Sequence, residues 1–312
     1  MELRPLGFGE IFDRAITVYV RNFIPFASLV SVVIVPLAVL QYVVDRSSTS
    51  EIDRALEILA HPTKAAPPVL PGFMTSPGAA LAFVLLLIVV WAVWPFALNA
   101  VTVGVARLYR GSAVDFRACY RASLQRWPSV LALLLLEAAI FIAWYVGFVI
   151  AVAVVAVLAT LIARASVPLG VFVGVFGAIV FVAGLLVLAP LIVALTFAMN
   201  AIVVEERSAV AALNAGFTRV FNRHEIWRAL LFSIAAGAVM MAASSLTGLL
   251  AFFFIFHHWI AAEVIVTSVF RAAIAPFSIV LLAIYYFDVR IRREGYDLEA
   301  GLDRLTQAPA VA

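Results

Sequence analysis

Apolar residues run down this chain in long, nearly uncharged stretches separated by short basic segments. A bilayer core of ~30 Å takes about 20 apolar residues as a helix rising ~1.5 Å per residue. Six stretches meet that length, near 23–44, 79–104, 129–160, 169–203, 229–256 and 264–287. Between Arg126 and Arg164 the only charge is Glu137, and between Arg164 and Glu205 there is none. The third and fourth stretches exceed what one crossing needs, so they either tilt and protrude or break, with Pro190 the candidate breakpoint. No turn cluster divides them, which predicts six spans rather than eight.

Composition sharpens this picture. The chain is 65% apolar and 12% charged, where soluble domains hold roughly half and a quarter. The expected fold class is therefore an all-α integral membrane protein. A net charge of +3 and a pI near 9.2 do not call for nucleic acid, because the cations sit in blocks between spans. Segments 1–22, 105–128, 204–228 and 288–312 hold sixteen arginines. The alternate segments hold Arg46, Arg54, Lys64 and Arg164, with Arg271 inside the sixth span. That asymmetry predicts both termini in the cytoplasm. Lys64 is the one lysine against twenty arginines, a skew expected of a GC-rich bacterial genome and so of a bacterial cytoplasmic membrane. One cysteine, Cys119, excludes an internal disulfide.

Three basic segments precede the helix pairs, and each reads as an amphipathic helix. Phe8, Phe12, Ala15, Ile16, Tyr19 and Phe23 share one face, opposite Glu10, Asp13, Arg14, Thr17 and Arg21. Phe116, Tyr120, Leu124 and Trp127 oppose Arg117, Arg121 and Gln125. Val210, Leu213, Phe217, Val220 and Phe221 oppose Asn214, Thr218, Asn222 and Arg223. Such helices are expected to lie flat in the inner headgroup layer, with Arg14, Arg21, Arg117, Arg121, Arg219 and Arg223 on lipid phosphates. The expected organisation is one membrane domain, 1–312, of three helix-pair units at 7–110, 111–208 and 209–296. Leu98-Asn99-Ala100 echoing Met199-Asn200-Ala201 supports the repeat. The segment 45–78 forms an outer loop with a short helix capped at Ser50, and 288–312 a cytoplasmic tail.

Candidate chemistry is sparse. Glu137 lies ten residues past Trp127, ~15 Å deep, where an ionised carboxylate costs at least ~2.5 kcal/mol. It reads as a proton or substrate site, or as an interhelical hydrogen bond. Arg271 is placed under the outer headgroups, where it snorkels, the alternative being to reach down toward Glu137. Asn99 and Asn200 read as interhelical hydrogen bonders, and Gly170 with Gly174 as a close-approach pair. His257-His258 beside Trp259 suits an interfacial belt better than a metal site. No nucleotide-binding or hydrolase motif stands in the chain, so no catalytic residue, metal or cofactor is expected.

The ends carry a resemblance. Leu3-Arg4-Pro5-Leu6-Gly7-Phe8-Gly9-Glu10-Ile11-Phe12-Asp13-Arg14 opens the chain, and Tyr285-Tyr286-Phe287-Asp288-Val289-Arg290-Ile291-Arg292-Arg293-Glu294-Gly295-Tyr296-Asp297-Leu298 closes it. Both resemble the bacterial family named for the membrane domain of glycerophosphoryl diester phosphodiesterase. The resemblance implies an all-helical polytopic domain with no established activity. Some relatives carry a fused phosphodiesterase, which these residues do not contain. Where relatives tend to read Ala-Leu-Arg-Arg-Ser-Trp, this chain has Ala212-Leu213-Asn214-Ala215-Gly216-Phe217. The expected function is a non-enzymatic accessory or scaffold protein engaging membrane lipids. The alternative is a small transporter or lipid-handling protein with a polar path past Glu137. A homo-oligomer or a membrane-protein partner stays open.

Overall fold

A computed structural model describes residues 4–47, 57–58, 74 and 76–295, and among them there is no strand. The expected loop helix at Ser50 and the tail beyond 295 lie outside the described residues. The helices are α1 (Phe8–Arg21), α2 (Phe23–Ser47), α3 (Pro77–Ile88), α4 (Trp94–Tyr109), α5 (Phe116–Gln125), α6 (Trp127–Ala165), α7 (Val167–Val204), α8 (Ala209–Val220), α9 (Glu225–Phe256) and α10 (Ile260–Glu294). A π turn at Val89–Val93 joins α3 to α4, so Pro77–Tyr109 is one span. All six expected spans are present, each reaching a few residues past its expected ends except at Phe23 and Phe256. The protein is a multi-pass integral membrane protein.

Two compact units form, one from residues 1–125 and 237–312 and one from 126–236. In the first, α2 packs on α3 and α4 through Val33, Leu37 and Ala97, edged by Leu86, Val89 and Trp94. Tyr109 on α4 meets Phe287 on α10, ring centroids 4.7 Å apart. In the second, α6 and α7 form a hairpin turning at Ser166. α7 passes Pro190 without breaking. Gly170, Gly177 and Gly184, seven apart, face Ala163, Val155 and Phe148 on α6. That seam replaces the expected Gly170–Gly174 pair, since nothing lies near Gly174. At 39 and 38 residues these helices are about 57 Å long. Fitting them into ~43 Å of bilayer with headgroups needs a tilt of about 40°, the steep end of the observed range.

The short helices do not cross the ends of the spans. Each folds back along one. In the first unit α1 runs beside α10, with the Leu6 N–H on Asp288 at one end and the Tyr19 hydroxyl donating to the Ala273 carbonyl at the other. Thirteen residues of α1 are thus matched to fifteen of α10, so the two axes are close to antiparallel. α5 returns along α4: Cys119 lies against Gly104, and Ser123 donates to the Phe96 carbonyl at 2.9 Å. In the second unit α8 returns along α7, with Gly216 against Ala194 and Ala198. The three short helices thus each lie against a span. Each carrier span holds one buried proline, Pro95, Pro190 or Pro276.

Candidate functional site

The fold-back helices all expose large apolar residues, and α5 buries only small ones. α5 buries only Cys119 and Ser123, while Phe116, Leu124 and nearby Trp127 are 40–56% exposed. α8 buries Ala212, Ala215 and Gly216, and Val210 is 70% exposed. α1 buries Ile11, Ala15, Val18 and Tyr19 but leaves Phe8, Ile16 and Val20 open. In water the large side chains would turn inward. Among acyl chains no hydrophobic force separates them from lipid, so close backbone approach through small residues decides the packing. Arg21, Arg117, Arg121 and Arg223 are exposed beside this apolar rim, and Arg14 is half-buried.

Arg219 departs from its expected place on lipid phosphates. Its side chain is 4% exposed and bidentate to Glu205, at 2.6 and 3.0 Å. Glu205 also pairs with Arg207 at 2.7 Å. A guanidinium committed this way fastens α8 to the end of α7. Burial pushes the Tyr19 and Tyr120 hydroxyls up to about 12 and raises the Cys119 thiol. Tyr120 donates to the Leu29 carbonyl at 2.5 Å.

The two terminal motifs meet. Buried Asp288 accepts from the Leu6 N–H at 2.6 Å and from Arg292 Nε at 3.0 Å. Arg292 donates in turn to the Leu6 carbonyl. Glu10 accepts from the Gly7 N–H at 2.7 Å and pairs with Arg4 at 2.8 Å. Sequence reasoning used Asp288 only to mark a span end, and 282 residues separate it from its partner.

Of the expected intramembrane polar residues, Asn99 and Asn200 are buried, 1% and 3% exposed. Glu137 is half-buried on α6, and its Oε1 has no hydrogen-bond partner among the described residues. Arg271 lines a cleft of about 440 Å³ between α9 and α10, with Ser244, Thr247, Glu263, Thr267 and Ser278. Arg271 donates one long hydrogen bond, 3.4 Å, to Gln41 on α2. No carboxylate lies within ion-pair distance of it among the described residues. Asp45, one turn along α2 from Gln41, and Glu263 both stand in its field. Glu263 was missed because it sits just outside the apolar run. Its signal was the spacing Glu263, Thr267, Arg271, which places three polar side chains on one helical stripe. His258 and Trp259 line a second groove with Tyr42 and Arg46, and the His257 and Trp259 rings lie 5.6 Å apart. No family model, curated protein or solved structure matches this chain.

Proposed function

We propose that this is a non-enzymatic protein of the bacterial cytoplasmic membrane, with both termini inside, that engages inner-leaflet lipids as an accessory or scaffold. One observation carries the reading: α1 and α5 each expose large apolar side chains, Phe8, Ile16, Phe116 and Leu124, beside exposed arginines, Arg21, Arg117 and Arg121. The apolar part suits acyl chains, and each exposed arginine contributes ~1 kcal/mol near an anionic surface. The resemblance of both ends to the glycerophosphoryl diester phosphodiesterase membrane domain fits a role without chemistry of its own. Orientation rests on the sixteen inner arginines, and the contact of Leu6 with Asp288 agrees with it.

The test uses the full chain in bilayers with and without phosphatidylglycerol. Anionic lipid should raise the melting temperature of the parent, and Arg117→Gln with Arg121→Gln should remove most of that gain while leaving the neutral-lipid value unchanged. An equal response in both bilayers ends the proposal. For orientation, Cys119→Ala is introduced first, and cysteines at Ser48 and Ser112 are labelled from outside intact cells. Only the first should react.

A second reading has its own observation. The unpartnered Oε1 of Glu137 suits a transporter or lipid-handling protein with a polar path along α6. Glu137→Gln keeps the shape but cannot exchange a proton. A stable Gln variant with a null growth or efflux phenotype favours that path over the scaffold.

A further inference from the structure

The cleft between α9 and α10 is chemically unbalanced. Arg271 lines it with one long hydrogen bond and no ion pair among the described residues. Two carboxyl groups stand near: Glu263 in the wall and Asp45, one turn along α2 from Gln41, which meets Arg271. Among the described residues Arg271 has no ion-pair contact with a carboxylate, and neither carboxyl has one with a cation. In a low-dielectric setting both deficits are costly. A ligand carrying one positive and one negative group closes both.

The walls say more about that ligand. Beyond the polar stripe they are Met240, Ala251, Ile274 and Ala275, with no aromatic side chain. A quaternary ammonium is recognised by an aromatic cage, which is missing here. A primary ammonium instead donates three hydrogen bonds, and carboxyl, Ser244 and Thr247 oxygens supply acceptors. The stripe from Glu263 to Arg271 rises about 12 Å, and a guanidinium reaching back toward the helix start shortens that toward the few ångströms between a headgroup's two charges. The cleft volume falls in the usual range for small ligands, ~300–1,000 Å³. It opens between spans whose outer surfaces are apolar, Leu249, Phe252 and Phe253 being 50–70% exposed, so a molecule with acyl chains enters sideways.

We infer that this cleft binds a phospholipid of the phosphatidylethanolamine type, with its phosphate on Arg271 and its ammonium between Glu263 and Asp45. The inference does not depend on the rim formed by the short helices.

The test adds palmitoyl-oleoyl phosphatidylethanolamine, phosphatidylcholine or phosphatidylglycerol to the purified full chain in mixed micelles and reads retained lipid by native mass spectrometry. The parent should retain the ethanolamine lipid at least tenfold better than either other lipid. Arg271→Gln should lose that lipid tenfold or more, while Arg271→Lys keeps most of it. Glu263→Gln should bring the ethanolamine lipid down to the choline lipid's level without changing the latter. Lipid-free melting temperatures identify any variant that fails to fold, and the Lys and Glu263→Gln arms then decide. Equal retention of all three lipids overturns the inference, as does Arg271→Gln binding like the parent. Displacement by soluble O-phosphoethanolamine at matched concentration also overturns it, because the site would then serve a free zwitterion.

Discussion

Two short helices solve one packing problem by different chemistry. In the first unit α5 is held by neutral hydroxyls, Tyr120 on the Leu29 carbonyl of α2 and Ser123 on the Phe96 carbonyl of α4. In the second unit α8 lies along α7 through a glycine pressed on backbone and a buried ion pair, Gly216 on Ala194 and Ala198 and Arg219 on Glu205. Both bring small residues inward, yet the hydroxyl solution is tolerant and the charge solution is not. Losing a hydroxyl removes one modest bond, whereas losing half of a buried pair strands a charge. The difference teaches where each unit is vulnerable.

The largest effect should come from the ion pair. Glu205→Ala leaves the Arg219 guanidinium buried without its bidentate carboxylate, at about 3–5 kcal/mol. Arg219→Ala should cost less, because Glu205 keeps Arg207 at 2.7 Å. Replacing both by leucine should recover most of the loss, since removing a pair together spares the stranded charge. Thermal unfolding in detergent measures all three. Equal losses for the two single variants would contradict the asymmetry.

Second comes the pair of glycines. A Cβ on Gly216 meets the Ala194 carbonyl and comes within 2.9 Å of the Ala198 nitrogen, so α8 and α7 must separate. A Cβ on Gly104 meets the Phe26 ring at 3.0 Å, and a ring can swing. Gly216→Ala should cost ~1–3 kcal/mol and Gly104→Ala under about 1 kcal/mol. The same melts report both, and the reverse order would mean that α8 is the looser of the two.

This contrast also marks how far the sequence could be read. The spans were legible because charge is nearly absent from them; Arg126 and Arg164 bracket a run interrupted only by Glu137. The short helices were legible from their 3.6-residue period, with their rings expected in the acyl boundary rather than in a protein core. A hydrophobic face is usually assigned to the core on the premise that water surrounds the helix. Lipid removes that premise, so Phe116 and Leu124 turn out while Cys119 and Ser123 turn in. The fold-back could not be read at all, because it is set by contacts far apart in sequence, such as Leu6 with Asp288. Arg271 stood out as a lone charge in a span, whereas Glu263 and Asp45 looked like ordinary span boundaries until helices α2 and α10 brought them together.

Third in size are the hydroxyls of the tolerant interface. Tyr120→Phe and Ser123→Ala should each cost about 0.6–1 kcal/mol, well below either change at Glu205 or Arg219. Their sum should be additive to within ~0.5 kcal/mol, because each hydroxyl serves a different helix. A double variant that unfolds the unit would place Tyr120 and Ser123 in one network and dissolve the distinction between the two interfaces.

The smallest effect belongs to the start of α1, where the first unit does use charge, but in the open. Glu10 is held below its ordinary value of 4.5, first by the hydrogen bond from Arg4 and then by the Gly7 N–H. A carboxyl depressed in the folded state binds its proton more readily when unfolded. Its stabilisation is therefore complete above the ordinary value and fades as pH falls through the lowered one. The window lies below pH 4.5, and in neutral buffer the contribution should be insensitive to pH. Because the pair is exposed, salt should weaken it. The parent and Glu10→Gln should therefore differ slightly in melting temperature at pH 7 and low salt, and the gap should close both in molar salt and in acid. A gap that widens on acidification would mean that Glu10 works as a neutral hydrogen-bond donor, opposite to the assignment made from Arg4 and Gly7.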